Sequence, residues 1–348
     1  MKTLQLVATG DLLIYIGTRL FDFAERIKAE RIEQAVLVGL NRALAEENIL
    51  LSPEISPTFV PFRDTTQVMV NTPTQTRLIY EQDIQRLDRL FALVCFLDGM
   101  SKDEGVCMEI GYSYGKGVPT VAVVTDFIWK EFKNVSKSDH IVDPILEAMI
   151  YRIIHQYKMP TGERSYQDNL VAGMEGALRL LEDEVYRLCR LTDFPQCPVA
   201  SMGGDIYIDF GGGLYEWERQ MQLKLSQALR LCGFSCEVGT RYMAAEQSQS
   251  PSGSVYELGR TDISKAIRAR VFILCADNNE MSSGTAALQG MGRAMGKYII
   301  LYDSKATNIK SDNRYQSSRN LMVDCSADKI VSRLEDIPAV VQALERGR

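Results

Sequence analysis

Two segments of the chain share a ten-residue pattern, and only one of them keeps its carboxylates. The first is DEGVCMEIGY (Asp103–Tyr112) and the second is SSGTAALQGM (Ser282–Met291). An aspartate stands twenty residues before each copy, at Asp83 and at Asp262. In the second copy Ser282 and Leu288 occupy the places of Asp103 and Glu109. Glu109 falls near the start of a predicted helix, where the positive end of the dipole favours an ionised carboxylate. Such a group suits a nucleophile at an anomeric carbon. Retaining glycosyl transfer pairs that nucleophile with a second carboxyl group that protonates the leaving group. Asp83 is the candidate for the acid, which leaves Asp103 to bind a substrate hydroxyl. Each of these residues taken alone reads as a helix cap or a solvated charge; the combination points to chemistry. The asymmetry reads as an ancient duplication in which one half kept the acids and the other became scaffold.

These side chains need a frame. Leu12–Ile16 is an apolar run ended by Gly17, and Tyr15 sits near its end. Phe21–Ile49 has amphipathic helical spacing, and Ser52–Thr76, with four prolines, reads as an irregular loop. A short helix around Glu81–Arg89 precedes LFALVCFL (Leu90–Leu97), apolar throughout as in a parallel strand covered on both faces. Gly105–Tyr114 reads as a helix and Val118–Val124 as a strand. The second half repeats the order: strands at Asp205–Phe210, Val271–Cys275 and Tyr298–Tyr302, helices at Glu216–Leu231, Ile263–Arg268 and Gly284–Met295. Arg164–Leu191 reads as an additional amphipathic helix, and Thr192–Gly204 as a linker. The alternation predicts an α/β fold: two flavodoxin/Rossmann-like, doubly wound parallel-sheet halves forming an intrachain pseudo-dimer. The expected domains are 1–160, carrying the acids, 161–200 as connection, and 201–348, completing the site. In open parallel sheets ligands bind outside the carboxyl ends of the strands, so Tyr15, Asp103 and Glu109 are expected to converge there.

With 348 residues, 46% apolar and 24% charged, the chain is long enough for two buried cores. A net charge of −6 and no basic run argue against nucleic acid or an anionic membrane as the main partner. The eight cysteines are scattered rather than framework-like, and the two histidines, His140 and His155, form no zinc spacing. No metal site is expected. The apolar beginning, MKTLQLVATGDLLIYIG, is broken by Asp11 and reads as a first strand rather than a signal peptide. The expected compartment is the cytoplasm. Gly290–Gly296 approaches a dinucleotide fingerprint but lies within a predicted helix, so packing explains its glycines.

Three segments in register resemble the nucleoside 2-deoxyribosyltransferase family: IYIGTRLF (Ile14–Phe21), Asp83, and DEGVCMEIGYSYGKG (Asp103–Gly117). The resemblance implies that Glu109 is a covalent nucleophile, that Asp83 is the proton donor, and that Tyr15 orients Glu109. It places Phe21 and Gly17 at the substrate. Members complete each site with an Asn-Leu-Met segment of a neighbouring subunit, and Asn320, Leu321 and Met322 supply that tripeptide late in this chain. The matching region of the first half, around Asn134–Ser136, lacks it. The resemblance thus implies one complete site, with Asp103 and Asn320 at the 5′-hydroxyl and Met322 beside the substrate. The implied activity is transfer of 2-deoxyribose between nucleobases, with 2′-deoxynucleosides and free bases as partners and no cofactor. A homo-oligomer of pseudo-dimers is left open. One alternative is an N-glycoside hydrolase of 2′-deoxynucleosides or their 5′-monophosphates. That branch of similar enzymes places serines where Asp103 and Asn320 stand, and a carboxylate facing a phosphate is repelled. A non-catalytic nucleoside-binding module is the second alternative.

Overall fold

The computed structural model describes residues 2–19, 23–64, 73–99, 102–125, 142–156, 165–191, 204–242, 255–277, 281–305 and 320–347. The first half runs α1 (Lys2–Ala8), β1 (Leu13–Gly17), α2 (Phe23–Glu46), β2 (Thr58–Phe59), α3 (Pro61–Asp64), α4 (Pro73–Leu87), β3 (Leu90–Phe96), α5 (Glu104–Gly115), β4 (Thr120–Val124), α6 (Pro144–Met149), β5 (Arg152–His155) and α7 (Tyr166–Cys189). The second half runs β6 (Gly204–Asp209), α8 (Glu216–Leu231), β7 (Cys236–Val238), α9 (Val255–Arg268), β8 (Ala269–Cys275), α10 (Ser283–Ala294), β9 (Tyr298–Tyr302), α11 (Leu321–Ser326), β10 (Lys329–Val331) and α12 (Ile337–Arg346).

Each half holds a five-stranded sheet, ordered β2-β1-β3-β4-β5 and β7-β6-β8-β9-β10, with every pairing parallel. Reading from the same edge, the two orders are identical. The expected α/β, doubly wound architecture is therefore the observed one. The uninterrupted apolar run of β3 has a plain cause, since all seven of its residues are buried. Strand alternation divides its neighbours between two cores. Ile14 and Ile16 face α2 and α7 in the outer core of the first half, while Tyr15 faces a core shared by both halves. That shared core also holds Tyr207, Phe272 and Leu288. A third core, with Ile208, Leu225 and Val341, closes the outer face of the second sheet.

The repeated pattern forms the centre of the shared core. Helices α5 and α10 cross there at backbone contact. A Cβ on Gly111 would stand 1.7 Å from the Ala287 carbonyl oxygen, and one on Gly290 would stand 1.9 Å from the Met108 carbonyl oxygen. Gly111 and Gly290 are equivalent in the two copies, as are Met108 and Ala287, so the crossing is two-fold in character. Packing is thus the reason for Gly290, as its place within a helix predicts.

Several local expectations differ. Residues 2–8 are helical, not strand: Leu4, Val7 and Ala8 are the buried positions, at helical spacing. Within the stretch read as irregular, Ser52–Thr76, the chain forms β2, α3 and the start of α4. β5, β7, α6, α11 and β10 are too short to carry a pattern, whereas α12 has clear helical spacing at Ile337, Val340, Val341 and Leu344. The extra helix α7 lies against α2 in the outer core, and α12 follows β10 in the same place of the second half's order. Most of the linker read at Thr192–Gly204 lies outside the described residues. No described helix is long and apolar enough to cross a membrane.

Candidate functional site

In a 2-1-3 strand order the crevice opens between β1 and β3, where successive connections leave on opposite faces. Tyr15 and Gly17 occupy alternate positions at the carboxyl end of β1 and share one face. Opposite them, α5 presents Glu109. The Tyr15 hydroxyl donates to Glu109 Oε1 at 2.7 Å. A Cβ on Gly17 would stand 2.7 Å from Glu109 Oε2, so any larger residue here would have to displace the carboxylate. That second oxygen is buried and has no hydrogen-bond partner.

Burial sets the electrostatics. Glu109 is 6% exposed. Burial raises its carboxyl well above the usual range, the Tyr15 hydrogen bond opposes that rise, and the charges of Asp83 and Asp103 add to it. The sequence argument from the helix dipole gave the opposite sign. Glu109 stands beyond the first turn of α5, where the dipole has faded, and desolvation wins. Tyr15 is pushed up as well, first by burial and then by Glu109, so it remains a donor. Asp83, on α4, is likewise buried at 6% exposure, and its charge is felt by both Tyr15 and Glu109.

Asp103 caps α5, accepting from the Val106 amide at 3.0 Å. Across the two halves, Asn320 Nδ2 donates to Asp103 Oδ1 at 3.3 Å. Asn320 itself caps α11, its Oδ1 accepting from the Met322 amide at 3.0 Å. Gly105 makes this approach feasible, since a Cβ there would meet Asn320 Nδ2 at 2.4 Å. Met322 is buried in the shared core. Phe21 lies outside the described residues. The structure therefore brings Tyr15, Gly17, Asp83, Asp103, Glu109 and Asn320 to one cleft.

Other residues at this cleft escaped the sequence reading. Phe59, on β2, sets its ring 5.2 Å from Tyr15, and Arg86 lies over the Phe59 ring at 5.4 Å. The short apolar run Thr58–Val60 between prolines was the signal for it. Lys102 is buried and donates to the carbonyls of Leu97 and Gly99, bracing the loop after β3. Glu104 accepts from the Met281 amide of the second half. Nothing in the sequence marks either.

The corresponding place in the second half is filled by protein. The counterpart of Asn320 is Asp143, which caps α6 just as Asn320 caps α11. A Cβ on Gly284 would meet Asp143 Oδ1 at 2.3 Å, as one on Gly105 would meet Asn320. The segment read as that counterpart, Asn134–Ser136, lies outside the described residues. An Asp followed by Pro at the first helical position was the available clue. Leu288 stands in Glu109's place, and the buried Tyr207 hydroxyl, the match of Tyr15, has no partner. Into this space runs Arg241, whose side chain is fully buried. It meets Asp209 at 2.7 Å, Asp143 at 3.2 Å and Asp262 at 3.9 Å, and donates to Ser282 Oγ at 3.5 Å. Burial opposes its charge, but Asp143, Asp209, Tyr242 and Asp262 outweigh that and hold the guanidinium ionised. Tyr242 donates to Asp143 at 2.7 Å.

Residues 32–143 match the family model "Nucleoside 2-deoxyribosyltransferase", a span that includes Asp83, Asp103 and Glu109. No curated protein matches the chain. Among solved structures, a conserved protein from Enterococcus faecalis V583 is similar at 21% identity and a TM-score of 0.31, over 47% of this chain and 98% of that one. A probable two-component system response regulator/GGDEF domain protein is similar at 13% identity and a TM-score of 0.23, over 96% and 98%. Scores this low establish no relationship in function.

Proposed function

We propose, from the premise that residues 32–143 form a nucleoside 2-deoxyribosyltransferase domain, that the first cleft moves 2-deoxyribose between nucleobases by double displacement. The observation that carries this reading is the division of labour within one carboxylate. Glu109 Oε1 is fixed by Tyr15, while Oε2 is buried, unpartnered and directed at the close approach of Gly17. An oxygen so held is prepared for a carbon electrophile.

In the first step Oε2 attacks C1′ of a 2′-deoxynucleoside. The C1′–N bond breaks, its electron pair leaves with the base, and Asp83 supplies a proton to the departing nitrogen. In the second step a nitrogen of the incoming base attacks C1′, the ester bond returns its electrons to Glu109, and Asp83 accepts the proton. Two inversions retain the configuration. Asp103 and Asn320, already bonded to each other, hold the 5′-hydroxyl. A carboxylate there disfavours a 5′-phosphate, which supports the free nucleoside over the monophosphate.

The test is incubation with deoxyinosine and free adenine, followed by chromatography. Deoxyadenosine is the expected product. Hypoxanthine without deoxyadenosine would replace transfer with hydrolysis, and an unchanged mixture would leave a binding module.

The reading also predicts a pH dependence. Turnover needs Glu109 ionised, so kcat/KM falls on the acid side at a pH above the ordinary carboxylate range. Tyr15→Phe removes the one interaction that lowers this carboxyl. The acid limb is expected to move to higher pH, with kcat/KM at neutral pH reduced by about ten- to hundredfold, the usual worth of a hydrogen bond to a charged group. A profile that shifts toward acid would contradict the assignment.

A further inference from the structure

Arg19 differs from the arginines around it. Every other described arginine before residue 125 meets a carboxylate, a carbonyl or an aromatic ring. Among the described residues Arg19 meets none of these. It stands two positions beyond Gly17, the last residue of β1, in the loop that leaves the strand's carboxyl end. Its guanidinium lies against Gly99 in the loop after β3. From where a Cβ on Gly99 would stand, the two terminal nitrogens are 3.4 and 3.5 Å away and the central carbon 3.6 Å. Three nearly equal distances place the Cβ position of Gly99 over the planar group rather than in line with its N–H bonds. These N–H bonds then point sideways within the plane, and none meets an acceptor among the described residues. Arg19 thus spans the carboxyl ends of β1 and β3, the two lips of the crevice.

The charges of the cleft leave this arginine a distinct task. Asp83, Asp103 and Glu109 are acidic, and Lys102 is directed to the carbonyls of Leu97 and Gly99. A guanidinium offers only donors, in a rigid fork that suits oxygen acceptors. At the sugar's hydroxyl end, Asp103 and Asn320 already face each other. The remaining end of a deoxynucleoside is its base. A base carbonyl accepts from the fork, whereas an amino group in the same place presents donor to donor. We infer that Arg19 reads the base and selects 2′-deoxynucleosides whose base bears a carbonyl oxygen there, such as hypoxanthine or guanine, over adenine. The inference rests on the reading of the first cleft as a deoxynucleoside site. The same contact favours departure of an oxo-base, because negative charge developing on the carbonyl oxygen as the C1′–N bond breaks meets a fixed cation.

Calorimetric binding of free hypoxanthine and free adenine to the native protein, Arg19→Met and Arg19→Lys tests this without requiring turnover. Hypoxanthine is expected to bind the native protein at least about tenfold more tightly than adenine, as in sites built to bond a polar atom. Arg19→Met is expected to weaken hypoxanthine by about ten- to hundredfold and adenine by less than about threefold. Arg19→Lys, which restores the charge without the fork, is expected to recover part of the loss. Arg19 is partly exposed, so an unchanged melting temperature of both variants is expected to confirm that the fold is kept. Equal weakening of the two bases, or unaltered hypoxanthine binding, would overturn the inference. A further arm compares deoxyadenosine with its 5′-monophosphate. A loss confined to the monophosphate would place Arg19 at a phosphate and overturn the assignment to the base. Failed exchange of deoxyinosine with adenine would remove the transferase reading while leaving an Arg19-dependent preference for hypoxanthine intact. Base binding indifferent to Arg19 would do the reverse.

Discussion

Glu109→Gln is expected to lower deoxyribosyl exchange by about 10⁴-fold or more, the scale of losing a nucleophile from a concerted set of groups. The amide keeps the shape and can still accept from Tyr15, but it is no nucleophile. The same substitution is expected to stabilise the fold at neutral pH. The sign follows from linkage. The Glu109 carboxyl is raised in the folded state, so the folded protein binds the proton more tightly than the unfolded chain does. Its favourable contribution is complete below the unfolded value and is lost as pH rises through the folded one. Removing the ionisation therefore helps above that range and does little near pH 4, close to the ordinary glutamate value. Exchange assays and melting temperatures at acid and neutral pH measure both effects. A variant that kept its turnover would refute the role proposed for Glu109. A variant less stable at pH 8 than the native protein would refute the electrostatic account.

The second large effect is expected far from that chemistry. Arg241→Met should destabilise the protein by about 3–5 kcal/mol, because it strands carboxylates that are already out of water. Asp143 and Asp209 are at most 1% exposed, and Asp262 would retain Lys265, at 3.1 Å, as its cation beside the Thr240 and Arg241 amides. Burial raises the Asp262 carboxyl and Arg241 opposes that rise, so without the guanidinium the loss should shrink as pH falls and that carboxyl takes up a proton. Adding Asp143→Asn and Asp209→Asn to Arg241→Met should recover much of the stability. Urea midpoints of the native, single and triple variants at neutral and acid pH measure this. A midpoint unmoved by Arg241→Met would mean that the ion cluster contributes nothing to the fold.

Legibility in the sequence followed from how each feature is encoded. β3, β8 and β9 were visible because strands buried on both faces need unbroken apolar runs. The acids of the first cleft were visible because their spacing repeats beside a copy that lacks them. β2 was hidden because its two residues, Thr58 and Phe59, are too few to carry a period. α1 was misread because its alternating residues mimic a strand, although Leu4, Val7 and Ala8 also suit one helical face. Asp143 was missed because a search for a tripeptide looks for identity, while the structure conserves a place, the cap of a helix facing a glycine. Arg241 could not be read at all. An arginine in a sequence suggests a surface, and the three aspartates that hold it come from distant points of the chain. The shift on Glu109 was unreadable for a similar reason, since desolvation depends on everything packed around the carboxyl.

The contact between Asn320 and Asp103 joins positions 217 residues apart on a single polypeptide. When such a contact joins separate molecules, its formation is an encounter, and each dilution lowers the fraction assembled. Here the peptide chain acts as a leash, and the local concentration of one partner around the other is set by the fold. Formation of this contact is thereby first order, independent of protein concentration.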